Sequence, residues 1–251
     1  MTDESVAVSS GRVGWRWGWA TAALWIVASL GTIALEVVWS GGPSLAFLAL
    51  VGSALVLESV LVFLTIDRIQ ERGSRPFTLA TGVTLGRGAA AAVLAGFVVA
   101  PSPTGVLAWV PALLFAVAAA LDAVDGMVAR RLDEVTDIGA RLDVEMDALV
   151  VLVGSLVAVA GDGAALAFLA VGIARYLFVA GLWWRRRRGL VVSELPSNRL
   201  RRPLGALVMV CIWLAILPVL SATLTRPLSI LVAVPFLANF CWDWLAVSGR
   251  R

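Results

Sequence analysis

Along the chain, stretches of mostly apolar residues, each close to the ~20 residues that a membrane-crossing helix needs, alternate with short polar breaks. Read as helices, they run roughly over 17–39, 44–66, 78–100, 106–130, 136–159, 164–184, 203–221 and 227–248. In the third, the continuous apolar run extends only from Gly88 to Ala100, so the helix must also take in the more polar segment Thr78–Arg87. A polar stretch, Asp67 to Pro76, sets the first two helices apart from the rest. The expected fold is all-α, a polytopic transmembrane bundle of eight spans. It would consist of an N-terminal hairpin over 1–66, a linker over 67–76 and a six-span core over 77–248. The polar residues 1–11 are expected to be disordered. The apolar run that follows them is longer than a signal-peptide core and is expected to be a retained span.

Composition strengthens this picture. Hydrophobic residues make up 60% of the 251 positions, against the about 45–50% apolar content of soluble domains. Charge then orients it. The net charge is +3, and every basic side chain is arginine, with neither lysine nor histidine present. Arg12 and Arg16 precede the first span, and Arg68, Arg72 and Arg75 follow the second. Arg130 and Arg131 follow the fourth, Arg185 to Arg202 carry a dense cluster after the sixth, and Arg250 and Arg251 close the chain. With eight spans these all fall on one side, and the opposite loops keep only Arg226. The positive-inside rule makes that side cytoplasmic, with both termini on it. Arginines confined to loops between apolar spans suit anionic lipid surfaces. A nucleic-acid partner is therefore not expected. The expected location is the cell membrane, with any site among these loops facing the cytoplasm. Cys211 and Cys241 lie far apart in apolar stretches and read as small core residues.

Without histidine, imidazole chemistry and histidine-ligated zinc are excluded, and carboxylates are the available general bases at neutral pH. The informative stretch is Leu121 to Asp147, LDAVDGMVARRLDEVTDIGARLDVEMD. Asp122 and Asp125 are three apart near the end of the fourth span, and Asp143 and Asp147 are four apart early in the fifth. On a helix each pair shares a face. A short turn over Arg131–Val135 makes the two helices antiparallel neighbours. Asp122 is then about 12 Å from Arg130, and Asp147 about 16 Å from Thr136, so the four acids converge at similar depth. Four such carboxylates cannot all stay ionised and unpaired at low dielectric. Hard divalent ions, Mg²⁺ or Mn²⁺, would resolve this. Two of them could also neutralise a pyrophosphate during in-line displacement. Gly126, Ala129 and Gly139 leave room beside the acids for a nucleotide. On charge pattern alone, two other readings stand beside an enzyme. The acids could pair with Arg130, Arg141 and Arg175 to hold helices together, or line an ion or proton pathway.

The order Asp122-x-x-Asp125-Gly126-x-x-Ala129-Arg130, eight residues, Gly139-x-x-x-Asp143-x-x-x-Asp147 resembles the signature of the CDP-alcohol phosphotransferases at every fixed position. The resemblance covers the core, about 77–248, and leaves out residues 1–66. It implies a six-helix bundle that transfers a phospho-alcohol group from a CDP-linked donor to an acceptor alcohol, releasing CMP. It implies that Asp122, Asp125, Asp143 and Asp147 hold two divalent ions, with Asp147 close to them also serving as the general base. Gly126, Ala129, Arg130 and Gly139 would frame the cytidine nucleotide. Thr81, Thr84 and Arg87 resemble the family's N-x-x-T-x-x-R stretch, with Thr81 in place of the Asn, and the resemblance adds Thr84 to the nucleotide contacts. Family members are often homodimers.

The acceptor side is read from arginines. Ser197, Arg199, Arg201 and Arg202 partly resemble a segment found in members with a phosphorylated acceptor, and an arginine fork suits phosphate. Arg175, about 15 Å into the sixth span, lies at the depth of the acids and is expected to join them. A CDP-linked lipid donor and a phosphorylated acceptor, such as glycerol phosphate or inositol phosphate, are expected. The alternative is an unphosphorylated acceptor such as serine. Glu58 lies mid-span in the hairpin and is expected to pair with an arginine of the core. Asp243 is expected to have an interfacial role.

Overall fold

The computed structural model describes the backbone over 3–39, 41–70, 79–100, 103–132 and 137–249, and side chains over 17–39, 41–65, 82–100, 103–122 and 139–249. Eight α-helices follow one another, with no strand among the described residues. They are α1 (Asp3–Val38), α2 (Leu45–Gln70), α3 (Leu79–Ala95), α4 (Val110–Leu132), α5 (Asp137–Ala160), α6 (Leu169–Arg187), α7 (Arg201–Ile216) and α8 (Ala222–Val247). Single 3₁₀ turns cover Gly96–Val98, Gly105–Trp109 and Leu166–Phe168.

Each apolar stretch read from the sequence carries a helix, and the differences have local causes. Disorder over 1–11 is not what the structure shows, because α1 begins at Asp3. No proline interrupts that segment, so nothing in the sequence forces a break. In contrast, α7 stops short of the expected 221. Leu217 precedes Pro218, and that proline pushes it out of the helical region to φ −64°, ψ 130°.

Among the described residues, five helices are long and apolar enough to cross a membrane: Trp17–Val38, Leu45–Thr65, Gly105–Asp122, Leu166–Arg187 and Ala222–Val247. The chain is an integral membrane protein. The remaining three are shorter or more polar. The apolar part of α3, Gly82–Val98, falls short of the length. With 16 residues, α7 spans about 24 Å of a hydrocarbon core about 30 Å thick. The first three turns of α5 carry Asp137, Arg141, Asp143, Glu145 and Asp147.

The chain divides into two compact units, Met1–Val150 and Val151–Arg251. In the first, α3 packs against α1, α2 and α4. Its small residues permit this: Ala89, Ala91 and Ala92 are buried with little or no exposure. After α3, the ring of Phe47 sits where a side chain on Gly96 would be, 2.5 Å from the position of an added Cβ. Phe47 also meets Phe97 edge-on at 5.1 Å, and Trp39 stacks on Phe97 at 5.8 Å. The hairpin helices are thus the cover of α3, and they belong to the same packing unit as the start of the core.

In the second unit, α6 presses on α5 at Gly172, where an added Cβ would come within 3.2 Å of Leu152 and Ser155. It meets α8 at Gly181, whose Cβ position lies 2.6 Å from the Trp244 ring. Phe178 meets Phe240 and Trp244 edge-on. The far end of α6 carries Arg187 over Trp183 and Arg188 over Trp184, at 4.6 and 4.3 Å from the ring centres. Paired aromatic and arginine side chains of this kind are typical of a helix end at a lipid–water boundary.

Candidate active site

Three helices of the first unit bring their charged residues to one point. Asp122 lies near the end of the described part of α4, and Asp143 and Asp147 lie one turn apart on α5. One carboxylate oxygen from each comes within 4.8 Å of the others. Arg87, on α3, holds them there. Its Nη1 donates to Asp122 Oδ1 at 2.7 Å and to Asp143 Oδ1 at 3.0 Å. Its Nη2 donates to Asp147 Oδ1 at 2.8 Å and to the Asp143 carbonyl at 3.0 Å.

Burial differs sharply across this cluster. The Arg87 side chain is 1% exposed, while those of Asp122, Asp143 and Asp147 are 43%, 37% and 48% exposed. The guanidinium is therefore the buried side of the cluster, and the acids are its open side. Among the described residues one positive charge faces three negative ones, an arrangement that favours a cation on the open side. The donor set is hard oxygen throughout, which fits Mg²⁺ or Mn²⁺. An octahedral ion bound at about 2.1 Å spans oxygens up to about 4.2 Å apart, so these acids need only a small contraction to share one. The residues present fit a divalent ion.

Of the other residues expected at the site, Thr84 is buried on α3, one turn before Arg87. Gly139 is half-buried near the start of α5. Gly126, Ala129 and Arg130 lie on α4, but their side chains, like that of Asp125, fall outside the described residues, as does that of Thr81.

The expected acceptor residues, Arg175, Ser197, Arg199, Arg201 and Arg202, all belong to the second unit. Arg175 is half-buried on α6, while Ser197, Arg199 and Arg202 are exposed. Arg201 is engaged. Its Nε and Nη2 donate to the two oxygens of Asp243 at 2.8 and 3.0 Å, and Nη2 also donates to the Pro196 carbonyl at 2.8 Å. The hydrogen bond from Arg201 to Asp243 raises the pKa of the guanidinium further. Asn198 adds a bond to Asn239 at 2.6 Å. Asp243 is 5% exposed, so it is a buried anchor for the 190–200 loop and not the interfacial group expected from the sequence.

Sequence reasoning gave Arg87 only a nucleotide contact and missed it as the hub of the acids. The available signal was a lone arginine about 12 Å into α3, too deep to be a simple end cap. Glu58 was expected to pair with a core arginine. It is fully buried, and neither of its carboxylate oxygens has a hydrogen-bond partner among the described residues.

The family model described as CDP-alcohol phosphatidyltransferase matches residues 77–239. No curated protein matches the chain. That match takes in Arg87 and all the acids of the cluster and leaves out α1 and α2, and on it the chain belongs to the CDP-alcohol phosphatidyltransferase family.

Proposed function

We propose that the chain is a phospholipid-synthesis enzyme that moves a phosphatidyl-type group from a CDP-linked lipid to an acceptor alcohol and releases CMP. The family match implies transfer of a phospho-alcohol from a CDP-alcohol. The convergence of Asp122, Asp143 and Asp147 within 4.8 Å is the observation that carries the reading to this site. Asp122, Asp125 and Asp143 would hold two divalent ions, Mg²⁺ or Mn²⁺, with Asp147 beside them. Bound there, the ions would neutralise the donor pyrophosphate and the charge that develops on it.

Asp147 is the general base. It takes the proton of the acceptor hydroxyl, whose oxygen forms a bond to the donor phosphorus. The bond from that phosphorus to the CMP oxygen breaks, and CMP leaves with the electron pair. Thr84, Gly126, Ala129, Arg130 and Gly139 frame the nucleotide. The open side of the acids is where donor and acceptor meet.

The acceptor is phosphorylated, of the glycerol phosphate or inositol phosphate type. Support comes from Ser197, Arg199 and Arg202, which are exposed in an arginine-rich loop. Arg201 contributes by fixing that loop through Asp243. The donor is a lipid because the site lies in a chain whose helices are built for the bilayer. The test is to offer the purified protein CDP-diacylglycerol with glycerol phosphate, inositol phosphate or serine and to weigh the products. A phosphatidyl product with a phosphorylated acceptor is expected. A product with serine alone would reassign the arginine loop to lipid binding.

The site would face the cytoplasm of the cell membrane, a placement supported by the arginine bias of the loops. In a background lacking Cys211 and Cys241, Glu194→Cys should resist impermeant thiol reagents in intact cells, and Ser221→Cys should react. Both positions are exposed in loops at opposite ends of α7. The reverse labelling pattern would overturn the orientation.

A further inference from the structure

We propose that Glu58 is a second seat for the Arg87 guanidinium, taken when divalent ions claim the oxygens of Asp122, Asp143 and Asp147. The inference rests on the metal-binding reading of that cluster and adds a residue from outside the family-matched segment.

Arg87 is 1% exposed, so water cannot serve its charge. Its Nη atoms are bonded to the same three acids that form the candidate metal cluster. An oxygen that binds a divalent ion tightly is a poorer acceptor for a guanidinium, and the ion and the guanidinium repel one another. Where an ion takes an oxygen that Arg87 now holds, the guanidinium keeps its bond to the Asp143 carbonyl but must weaken or leave the others, and a buried guanidinium short of acceptors is destabilising.

Glu58 is placed to receive it. It lies on α2, with no measurable exposure and no hydrogen-bond partner for either oxygen among the described residues. Its Oε2 lies 3.0 Å from the Cβ position of Gly88, the residue next to Arg87. The Met146 sulfur, on the residue next to Asp147, lies 3.1 Å from that same position. Gly88 is needed for the approach, because a side chain there would displace the carboxyl. On the arginine itself, Nε is buried and also lacks an acceptor. A buried acid packed against Gly88 and a buried donor on the preceding residue, neither with a hydrogen-bond partner among the described residues, therefore stand beside a cluster whose charge changes when ions bind. Unsatisfied buried groups are rare and call for a physical reason, and an ionisable group within a membrane helix commonly has a functional one. A side chain that only filled space between α2 and α3 would be expected to be leucine or methionine.

The test is direct Mn²⁺ titration of the full chain, read from the paramagnetic signal of the free ion, so that turnover plays no part. The proteins are the wild type, Glu58→Gln, Glu58→Leu, Arg87→Met and the double variants. Glu58→Gln keeps the side-chain volume and preserves the test if leucine disturbs packing. Loss of the second seat should weaken Mn²⁺ binding about tenfold in Glu58→Leu, and Glu58→Gln, which keeps an acceptor oxygen but no charge, should fall between that variant and the wild type. Arg87→Met should bind Mn²⁺ at least as tightly as wild type, and removing Glu58 in that background should change nothing further. An equal loss with and without Arg87 would show that Glu58 acts on the ions as a distant charge, and would overturn the proposal. Wild-type affinity in Glu58→Leu would overturn it alone. Absence of Mn²⁺ binding by the wild type would overturn the metal-binding reading, and this inference with it.

Discussion

Asp147→Asn should slow CMP release by about 10²–10⁴-fold, the usual loss when a general base is removed. The amide keeps the shape of the carboxylate, and its oxygen can still accept the bond that Arg87 Nη2 now donates to Asp147 at 2.8 Å. What it cannot do is take the proton of an acceptor hydroxyl. Donor binding should largely survive, because Asp122, Asp143 and the small residues beside them are untouched. Stability should change by less than about 1 kcal/mol, because the Asp147 side chain is 48% exposed and solvent screens its pairing. The measurements are the rate of CMP release, donor affinity and melting temperature. A variant that turns over like the native chain would remove Asp147 from the base position.

Asp122→Asn should fail differently. Among the described residues Asp122 is what α4 contributes to a cluster otherwise supplied by α5, so its loss removes an ion ligand from that side. Divalent-ion affinity should fall by at least about 10–100-fold, the loss that follows even from disturbing the support of a ligand. Donor affinity and rate should fall with it, since the pyrophosphate is neutralised by the same ions. Raising Mg²⁺ or Mn²⁺ should restore part of the rate in Asp122→Asn and none of it in Asp147→Asn. If both variants lose mainly stability, with no metal-dependent change in rate, these acids serve to tie α3, α4 and α5 together through Arg87.

Much of this was legible in the sequence because membrane helices announce themselves. The alternation of apolar and polar stretches located all eight helices, although among the described residues five rather than eight are long and apolar enough to span, and the spacing of Asp143 and Asp147 gave a shared face. Boundaries were harder where one residue decides them. Pro218 ended α7 at Ile216, and the absence of any proline from 3–38 let α1 run back to Asp3. The cluster itself was legible in part. Its acids could be read from spacing, but the side chain that gathers them could not. Arg87 lies 35 residues from Asp122 and 60 from Asp147, and helical periodicity carries no information over such separations. Arg201 and Asp243, 42 residues apart, escaped for the same reason. Glu58 was visible as an acid inside a span. That it has no partner among the described residues emerged only from the packing of α2 against Gly88. The parts of the signature at Asp125, Gly126, Ala129 and Arg130 rest on spacing alone, because their side chains lie outside the described residues.

The central claim is that these acids serve metal-dependent transfer from a CDP-linked donor. It is tested most directly by incubating the purified protein with CDP-diacylglycerol and a mixed pool of acceptor alcohols, and measuring CMP with Mg²⁺ or Mn²⁺ present and after chelation. The account predicts CMP release that requires the divalent ion and matches the phosphatidyl product one for one. A folded protein that releases no CMP with either ion, yet conducts ions or protons in liposomes, would contradict it.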